Sequence, residues 1–209
     1  MSLWYLVCRF IEHIIACSFY DVRFLGRNNC PKKGPVVLVC NHQSYFDPLL
    51  CGLLINRECD FMAKIELFKN PLFGRFLRSV NTFPVDQEKI DVASIRVTIN
   101  RLKQNRVVVL FPEGQRTMNG HLQSLKSGFE LIARKSRATI LPVVIDGAFK
   151  VWPYNKKYPN IQLPIRVMCG RPIPYDQLSK LSRKEIVDEI SKQFRNMMTD
   201  LKNTFGNLS

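Results

Sequence analysis

Apolar residues in this chain gather in two patterns, and their alternation outlines the fold. Five short segments, Val36–Cys40, Asp60–Lys64, Val107–Phe111, Thr139–Ile145 and Ile165–Gly170, have apolar interiors bounded by turn residues or charges. That is the pattern of strands covered on both faces. Between them lie segments with helical spacing: Leu49–Ile55, Val92–Lys103 with Val92, Ile95, Ile99 and Leu102 on one face, and Gly128–Arg137. The last helix is the best marked, because Ser182-Arg183-Lys184-Glu185 is a capping box followed by Ile186, Ile190, Phe194, Met197 and Leu201. Strands alternating with helices predict an α/β fold, a single domain with a mostly parallel central sheet flanked by helices.

The first segment follows a different rule. Leu3 to Tyr20 is largely apolar, yet Arg9, Glu12 and His13 stand at i, i+3 and i+4 and so gather on one helical face. Eighteen residues at about 1.5 Å each reach about 27 Å, short of a bilayer core of about 30 Å. No small-residue cleavage site of the signal-peptide kind follows. The pattern predicts an amphipathic helix lying in a membrane interface; the competing reading is a core helix whose charges face solvent. Asn28-Asn29-Cys30-Pro31-Lys32-Lys33-Gly34-Pro35 reads as a turn-rich linker. The expected organisation is therefore a membrane-associated helix and linker over residues 1–30 and a domain over 31–209.

Length and composition fit this outline. A chain of 209 residues with 46 % hydrophobic and 23 % charged residues buries one substantial core. Charge adds something new. The 31 Lys and Arg outnumber the 17 Asp and Glu, for a net charge of +14. Residues 91–180 hold fifteen basic and five acidic residues, a balance of +10. Such a field attracts polyanions: nucleic acid, an anionic membrane surface or an acidic partner. Aromatic residues are not interleaved with the basic ones in a nucleic-acid recognition pattern, which sets nucleic acid aside. The seven cysteines (Cys8, Cys17, Cys30, Cys40, Cys51, Cys59 and Cys169) are odd in number and contain no Cys-x-x-Cys pair, so neither a disulfide framework nor a zinc site is expected.

Candidate chemistry sits at two predicted strand ends, where ligands gather in parallel sheets. After Val36–Cys40 comes Asn41-His42-Gln43-Ser44-Tyr45-Phe46-Asp47. His42 is a candidate general base with Asp47 as the carboxylate that orients it, and Asn41 and Ser44 are candidate substrate contacts. Pro48 suits a first helical position, so Asp47 also reads as the N-cap of the following helix. Residues 42 and 47 lie on different faces of a regular helix, so a compact turn has to bring them together. Ser44 as a nucleophile is the weaker alternative, since no Gly-x-Ser-x-Gly elbow surrounds it. After Val107–Phe111 comes Pro112-Glu113-Gly114-Gln115-Arg116-Thr117. Arg116 offers a planar fork for phosphate, Gly114 permits close backbone approach, and Thr117 adds a hydroxyl. The plain reading of this stretch is a surface turn with a solvated arginine. Lys64 and Lys126 are further candidate cations.

Together these motifs resemble the glycerolipid acyltransferases, specifically the 1-acylglycerol-3-phosphate acyltransferase family. Residues 41–47 match the family pattern Asn-His-x-Ser-x-x-Asp, the HxxxxD motif. Residues 111–117 match Phe-Pro-Glu-Gly-Thr-Arg-Ser with Gln115 and Thr117 as variants. Ile140-Leu141-Pro142-Val143-Val144-Ile145 is similar to the proline-bearing fourth block, and Lys64–Phe68 with Asn81–Asp86 to the second. The resemblance implies that His42 deprotonates the free sn-2 hydroxyl of lysophosphatidate in the membrane and that Asp47 holds it. The hydroxyl then attacks an acyl thioester of acyl carrier protein or coenzyme A, giving phosphatidate without metal or cofactor. Glu113, Gly114, Gln115, Arg116 and Thr117 are implied to shape the acceptor site. It also implies an enzyme on the cytoplasmic face of a membrane, peripheral or monotopic, of the bacterial inner-membrane kind. Gln87 stands where the family commonly has arginine, with Lys89 two residues on. A different lyso-lipid acceptor is therefore the second expectation, ahead of a Ser44-dependent hydrolase.

Overall fold

A computed structural model describes residues 1–86, 92–161, 163–206 and 208. In chain order the elements are α1 (Leu3–Phe19), β1 (Asp21–Leu25), β2 (Val36–Cys40), α2 (Asp47–Leu54), β3 (Cys59–Lys64), α3 (Pro71–Ser79), β4 (Thr82–Val85), α4 (Val92–Lys103), β5 (Val107–Leu110), α5 (Gly128–Ser136), β6 (Thr139–Asp146), α6 (Ala148–Val151), β7 (Pro164–Cys169), α7 (Tyr175–Leu178) and α8 (Arg183–Phe205). The seven strands form one sheet in the order β1-β7-β6-β2-β5-β3-β4. Among the described residues these strands pair in parallel except β6 with β7, and an isolated antiparallel bridge joins Ile140 to Ile173. The expected mostly parallel α/β domain is what the chain forms.

The five expected strands are all present, because their apolar runs lie between two helical layers. β2 and β5 are buried at every position. One face of the sheet packs Leu38, Cys40 and Val109 with Leu50 and Leu54 of α2 and Val151 of α6. The other packs Val37, Val39, Val108, Ile190 and Phe194 beneath α4, α5, α7 and α8. The capping box forms at α8, with Ser182 Oγ accepting from Glu185 N and the Glu185 carboxylate accepting from Ser182 N.

Three elements escape the periodicity reading. β1 was expected in the linker, but Asp21–Leu25 pairs with β7 as the edge of the sheet and so belongs to the domain. β4, at the opposite edge, contains Pro84, a residue tolerated in strands mainly at edges. α3 starts at a capped turn: Asn70 accepts from Phe73 N at 3.0 Å, and Pro71 follows in the first turn.

β3 changes partners along its length. Cys59 and Asp60 pair with β5, whereas Phe61–Lys64 pair only with β4. Buried Asp60 pins the fork, accepting two hydrogen bonds from Arg106 (2.6 and 2.7 Å) and one from Arg101 (3.0 Å). Beyond the fork lies an apolar cavity of about 270 Å³, bounded by Tyr45 and Gly52 on the α2 side, Phe61 on β3, Phe76 on α3 and Glu12 on α1.

α1 packs by its polar side. Tyr5 and Ala16 are buried, Tyr5 Oη accepts from Cys59 N at 3.0 Å, and Arg9 donates to Ile55 O at 2.6 Å. Arg9 and Glu12 thus turn toward the domain, while His13 stays exposed. The core-helix reading, with charges facing solvent, is overturned. Leu3, Trp4, Phe10, Ile11 and Ile14 are instead exposed, Phe10 at 64 %. α3 adds Leu72 (81 % exposed), Phe73 and Phe76, and the two apolar faces meet where Trp4 Nε1 donates to Ser79 Oγ at 3.0 Å. Among the described residues no helix is long and apolar enough to cross a membrane.

Candidate active site

The chemistry gathers at the carboxyl ends of β2 and its neighbour β5. Past Cys40 the chain leaves the sheet in a tight turn before α2 begins. One oxygen, Asp47 Oδ2, organises that turn by accepting from His42 Nδ1 (2.7 Å), Gln43 N (2.6 Å) and Ser44 N (2.7 Å). Asp47 is therefore not the N-cap expected of it. Phe46 occupies the cap position with helical dihedrals (φ −79°, ψ −20°) and Asp47 is the first residue of α2. Its carboxylate faces back, because two backbone N–H groups and the imidazole converge on it from the turn. An ionised carboxylate only accepts, so the imidazole proton lies on Nδ1 and the lone pair on Nε2. The ring stacks on Phe111 with centroids 4.0 Å apart, and the side chain remains 19 % exposed. The result is an oriented, partly accessible base.

Two neighbours expected to meet substrate are framework. Asn41 is buried, its Nδ2 donating to Ile145 O (2.9 Å) and its Oδ1 accepting from Ile145 N (2.8 Å). β2 has ended there while β6 continues, and the side chain takes over the missing backbone pairing. Ser44 Oγ donates to Trp152 O (2.9 Å) and accepts from Phe46 N (3.1 Å) in a fully buried position. That occupied, solvent-free hydroxyl also removes the footing of the Ser44 nucleophile reading.

The loop after β5 is tied to the same turn. Thr117 N donates to His42 O at 2.8 Å, and Gln43 Nε2 donates to Gly120 O at 2.8 Å. Thr117 Oγ1 points inward to Asn119 Oδ1 (3.0 Å), so its hydroxyl is not the substrate contact expected. Buried Glu113 accepts from His42 N (3.3 Å) and from Gln123 N and Nε2 (3.3 Å each). Gly114 has φ +80°, and a Cβ there would lie 2.7 Å from Lys126 Nζ. The positive φ favours glycine here, and the bare backbone leaves room for the ammonium beside it. Gln115 is exposed and uses its carbonyl to accept from Gln123 Nε2. The Arg116 guanidinium lies 3.6 Å from the centroid of the Tyr45 ring. Arg116 and Lys126 are thus the cations at the loop. Lys64 ends β3 two strands away from β2, exposed and without a hydrogen bond or ion pair among the described residues. Gln87 and Lys89 lie outside the described residues.

Sequence reasoning missed the residues that hold these groups in place. Phe111 backs the imidazole, Tyr45 carries Arg116, Gln43 and Gln123 fasten the loop, and Trp152 O receives Ser44. Phe111 and Gln43 lie inside the motifs quoted above. Trp152 is 108 residues from Ser44, and no local pattern announces it.

Burial pushes the Glu113 carboxyl up to about 7, with the nearby Asp47 charge adding to the rise and the hydrogen bonds from Gln123 and His42 opposing it. Glu12, also burdened mainly by burial, is raised to about 7. A carboxyl with a raised folded-state pKa binds its proton more tightly in the native state, so its contribution to stability is full below the usual 4.5 and is lost as pH rises toward about 7. The unfolding free energy is expected to fall across that window, and Glu113→Gln to flatten part of the fall. Denaturant titrations at several pH values check this; an unchanged slope in the variant excludes Glu113 as a source.

A family profile described as Acyltransferase matches residues 21–146. A protein of Bacillus subtilis called 1-acyl-sn-glycerol-3-phosphate acyltransferase is 28 % identical over 188 residues, covering 90 % of this chain and 91 % of the relative. A Streptococcus pneumoniae protein of the same name is 29 % identical over 171 residues, covering 79 % of this chain and 61 % of the relative. Among solved structures, the 1-acyl-sn-glycerophosphate acyltransferase PlsC of Thermotoga maritima superposes with a TM-score of 0.83 at 25 % identity, covering 95 % of this chain and 79 % of that one. The profile takes in both strand-end motifs and the strands β1 to β6, and the chain belongs to the acyltransferase family, in the company of the 1-acyl-sn-glycerol-3-phosphate acyltransferases.

Proposed function

We propose that the protein transfers an acyl chain from a thioester of acyl carrier protein or coenzyme A to the sn-2 hydroxyl of 1-acylglycerol-3-phosphate, forming phosphatidate. The observation that carries this reading is the 2.7 Å contact between His42 Nδ1 and Asp47 Oδ2 beside a loop bearing Arg116 and Lys126. Nε2 takes the proton of the acceptor hydroxyl as its oxygen attacks the thioester carbonyl. The tetrahedral intermediate collapses with cleavage of the C–S bond, and the imidazolium returns its proton to the leaving thiolate. Asp47 stabilises that imidazolium and fixes the tautomer. Every proton in this sequence is held by the chain or its substrates, so the step calls for no metal or cofactor.

The surroundings support the same assignment. Arg116 matches the acceptor phosphate as a fork and Lys126 as a point charge. The apolar cavity beyond Tyr45 suits an acyl chain. The exposed apolar faces of α1 and α3 suit a membrane interface, and the net positive charge suits the anionic cytoplasmic surface of a bilayer. Incubation with lysophosphatidate and each thioester donor tests the reading, with phosphatidate as the readout. Acylation of a different lyso-lipid in place of lysophosphatidate would move the acceptor assignment and leave the base in place. Arg116→Ala is expected to raise the KM for lysophosphatidate about tenfold or more, the loss of one charged hydrogen-bonding partner. An unchanged KM takes Arg116 out of the phosphate site.

A further inference from the structure

A second concentration of positive charge lies at the other end of the sheet. A cavity of about 540 Å³ opens between α1, the segment preceding β2 and the carboxyl end of α2, with Arg9, Arg27, Lys32 and Arg57 around it. Arg57 donates to Pro31 O (3.2 Å), Gly34 O (2.6 Å) and Asn105 O (2.6 Å), all just before β2 and β5. The cavity therefore sits at the amino ends of the strands whose carboxyl ends carry His42 and Glu113. A five-residue strand separates the two levels by roughly 17 Å.

The arginines are held by carbonyls and not by carboxylates. Arg9 donates to Ile55 O and Leu53 O, and Arg27 to Leu53 O at 2.8 Å, satisfying carbonyls that the end of α2 leaves open. This accounts for their position but not for their charge. Among the described residues none of Arg9, Arg27, Lys32 or Arg57 has a salt-bridge partner within 4.0 Å. Arg9 stands between this cavity and the apolar one, where Glu12, one turn along α1, lies near enough to sense its charge while burial raises the carboxyl. Each guanidinium has five N–H donors; Arg27 uses one, Arg9 two and Arg57 three. The Arg27 guanidinium lies 4.2 Å from the centroid of the Phe24 ring, which holds it at the rim with its remaining donors available. Burial, with the charge of nearby Arg9 adding to it, holds the Arg27 pKa below its usual value. Converging cations with spare donors and no salt-bridge partner among the described residues, around a space of this size, match a tetrahedral oxyanion.

We infer that this cavity binds the phosphate of an anionic bilayer phospholipid, at a site separate from the catalytic centre. The phosphate chemistry rests on the cavity itself; the choice of a lipid as its source rests on the interfacial reading of α1. A helix with side chains is about 10 Å across and an interfacial helix sinks about 5–10 Å into the headgroup boundary. With the apolar face of α1 downward, Arg9 on the opposite face stands at headgroup level, and the cavity opens there. The site would fix the depth and rotation of the protein on anionic membranes.

The test compares full-length protein carrying Arg27→Gln with Lys32→Gln against a control carrying Lys184→Gln with Lys192→Gln on α8, across the sheet. Each is sedimented with phosphatidylcholine vesicles with and without phosphatidylglycerol. The cavity pair is expected to lower partitioning to anionic vesicles about tenfold or more, and the control pair about twofold or less. Arg27→Lys, which keeps the charge and loses the fork, is expected to recover little of the loss. Equal losses in both pairs, or full recovery with lysine, overturn a built site in favour of a diffuse field. Inorganic phosphate at matched ionic strength separates the sources. A saturable thermal stabilisation that depends on Arg27, without any effect on vesicle binding, assigns the cavity to a soluble phosphate. Wild-type protein that ignores vesicles yet shows this stabilisation sinks the interfacial reading of α1 alone, whereas no response in either arm sinks the anion site.

Discussion

Replacing His42 with alanine is expected to lower acyl transfer by about a thousandfold or more while leaving the melting temperature nearly unchanged. The imidazole is 19 % exposed at the end of β2, and its Nδ1 contact to Asp47 is one of three that this carboxylate receives. Removing the ring leaves Gln43 N and Ser44 N on Asp47 Oδ2, so the turn keeps its frame. What is lost is the proton acceptor, together with stacking on Phe111 worth about 1 kcal/mol. Turnover with both thioester donors, measured beside a thermal melt, checks the pair of outcomes. Retained turnover in a folded variant removes His42 from the role of base.

Asn41→Ala should do the reverse, through stability. The amide pairs with both backbone groups of Ile145, and none of these atoms meets solvent. The alanine variant strands a buried N–H and a buried C=O, at about 1–3 kcal/mol each, for about 2–6 kcal/mol in all. For a chain of this size that lowers the melting temperature by roughly 4–24 °C. Denaturant unfolding gives the free energy directly. A loss below about 1 kcal/mol would mean that β6 does not depend on this clamp.

The contrast between His42 and Asn41 shows how much of the site was legible in sequence. His42 and Asp47 were readable because their partnership spans five residues and needs only a turn. Asn41, Ser44 and Thr117 carry the same polar signature in the same motifs, but their partners are backbone atoms that local order does not reveal. Ile145 lies 104 residues from Asn41, and Trp152 lies 108 from Ser44. The strands divide in the same way. β2 and β5 were readable because both faces are covered and the run is continuously apolar, while β1 and β4 are edges whose mixed composition resembles linker. The orientation of α1 was illegible for a third reason. Spacing places Arg9 and Glu12 on one face, but whether that face meets water or protein depends on open carbonyls at the end of α2.

The pairing of β2 also has a consequence for when the protein can first act. Its partners are β5, in register from Val36 with Val107, and β6, from Val36 with Thr139. His42 and Asp47 leave the ribosome almost together, yet the strand that presents them has no neighbour on either side until roughly seventy to a hundred more residues have been made. Closing such long crossovers precedes the contacts that reward them, which makes folding slow and dominated by distant pairings. Competence should therefore arrive late in synthesis, near the point where Ile145 reaches Asn41, and nascent chains ending before β6 should carry the complete dyad and no activity.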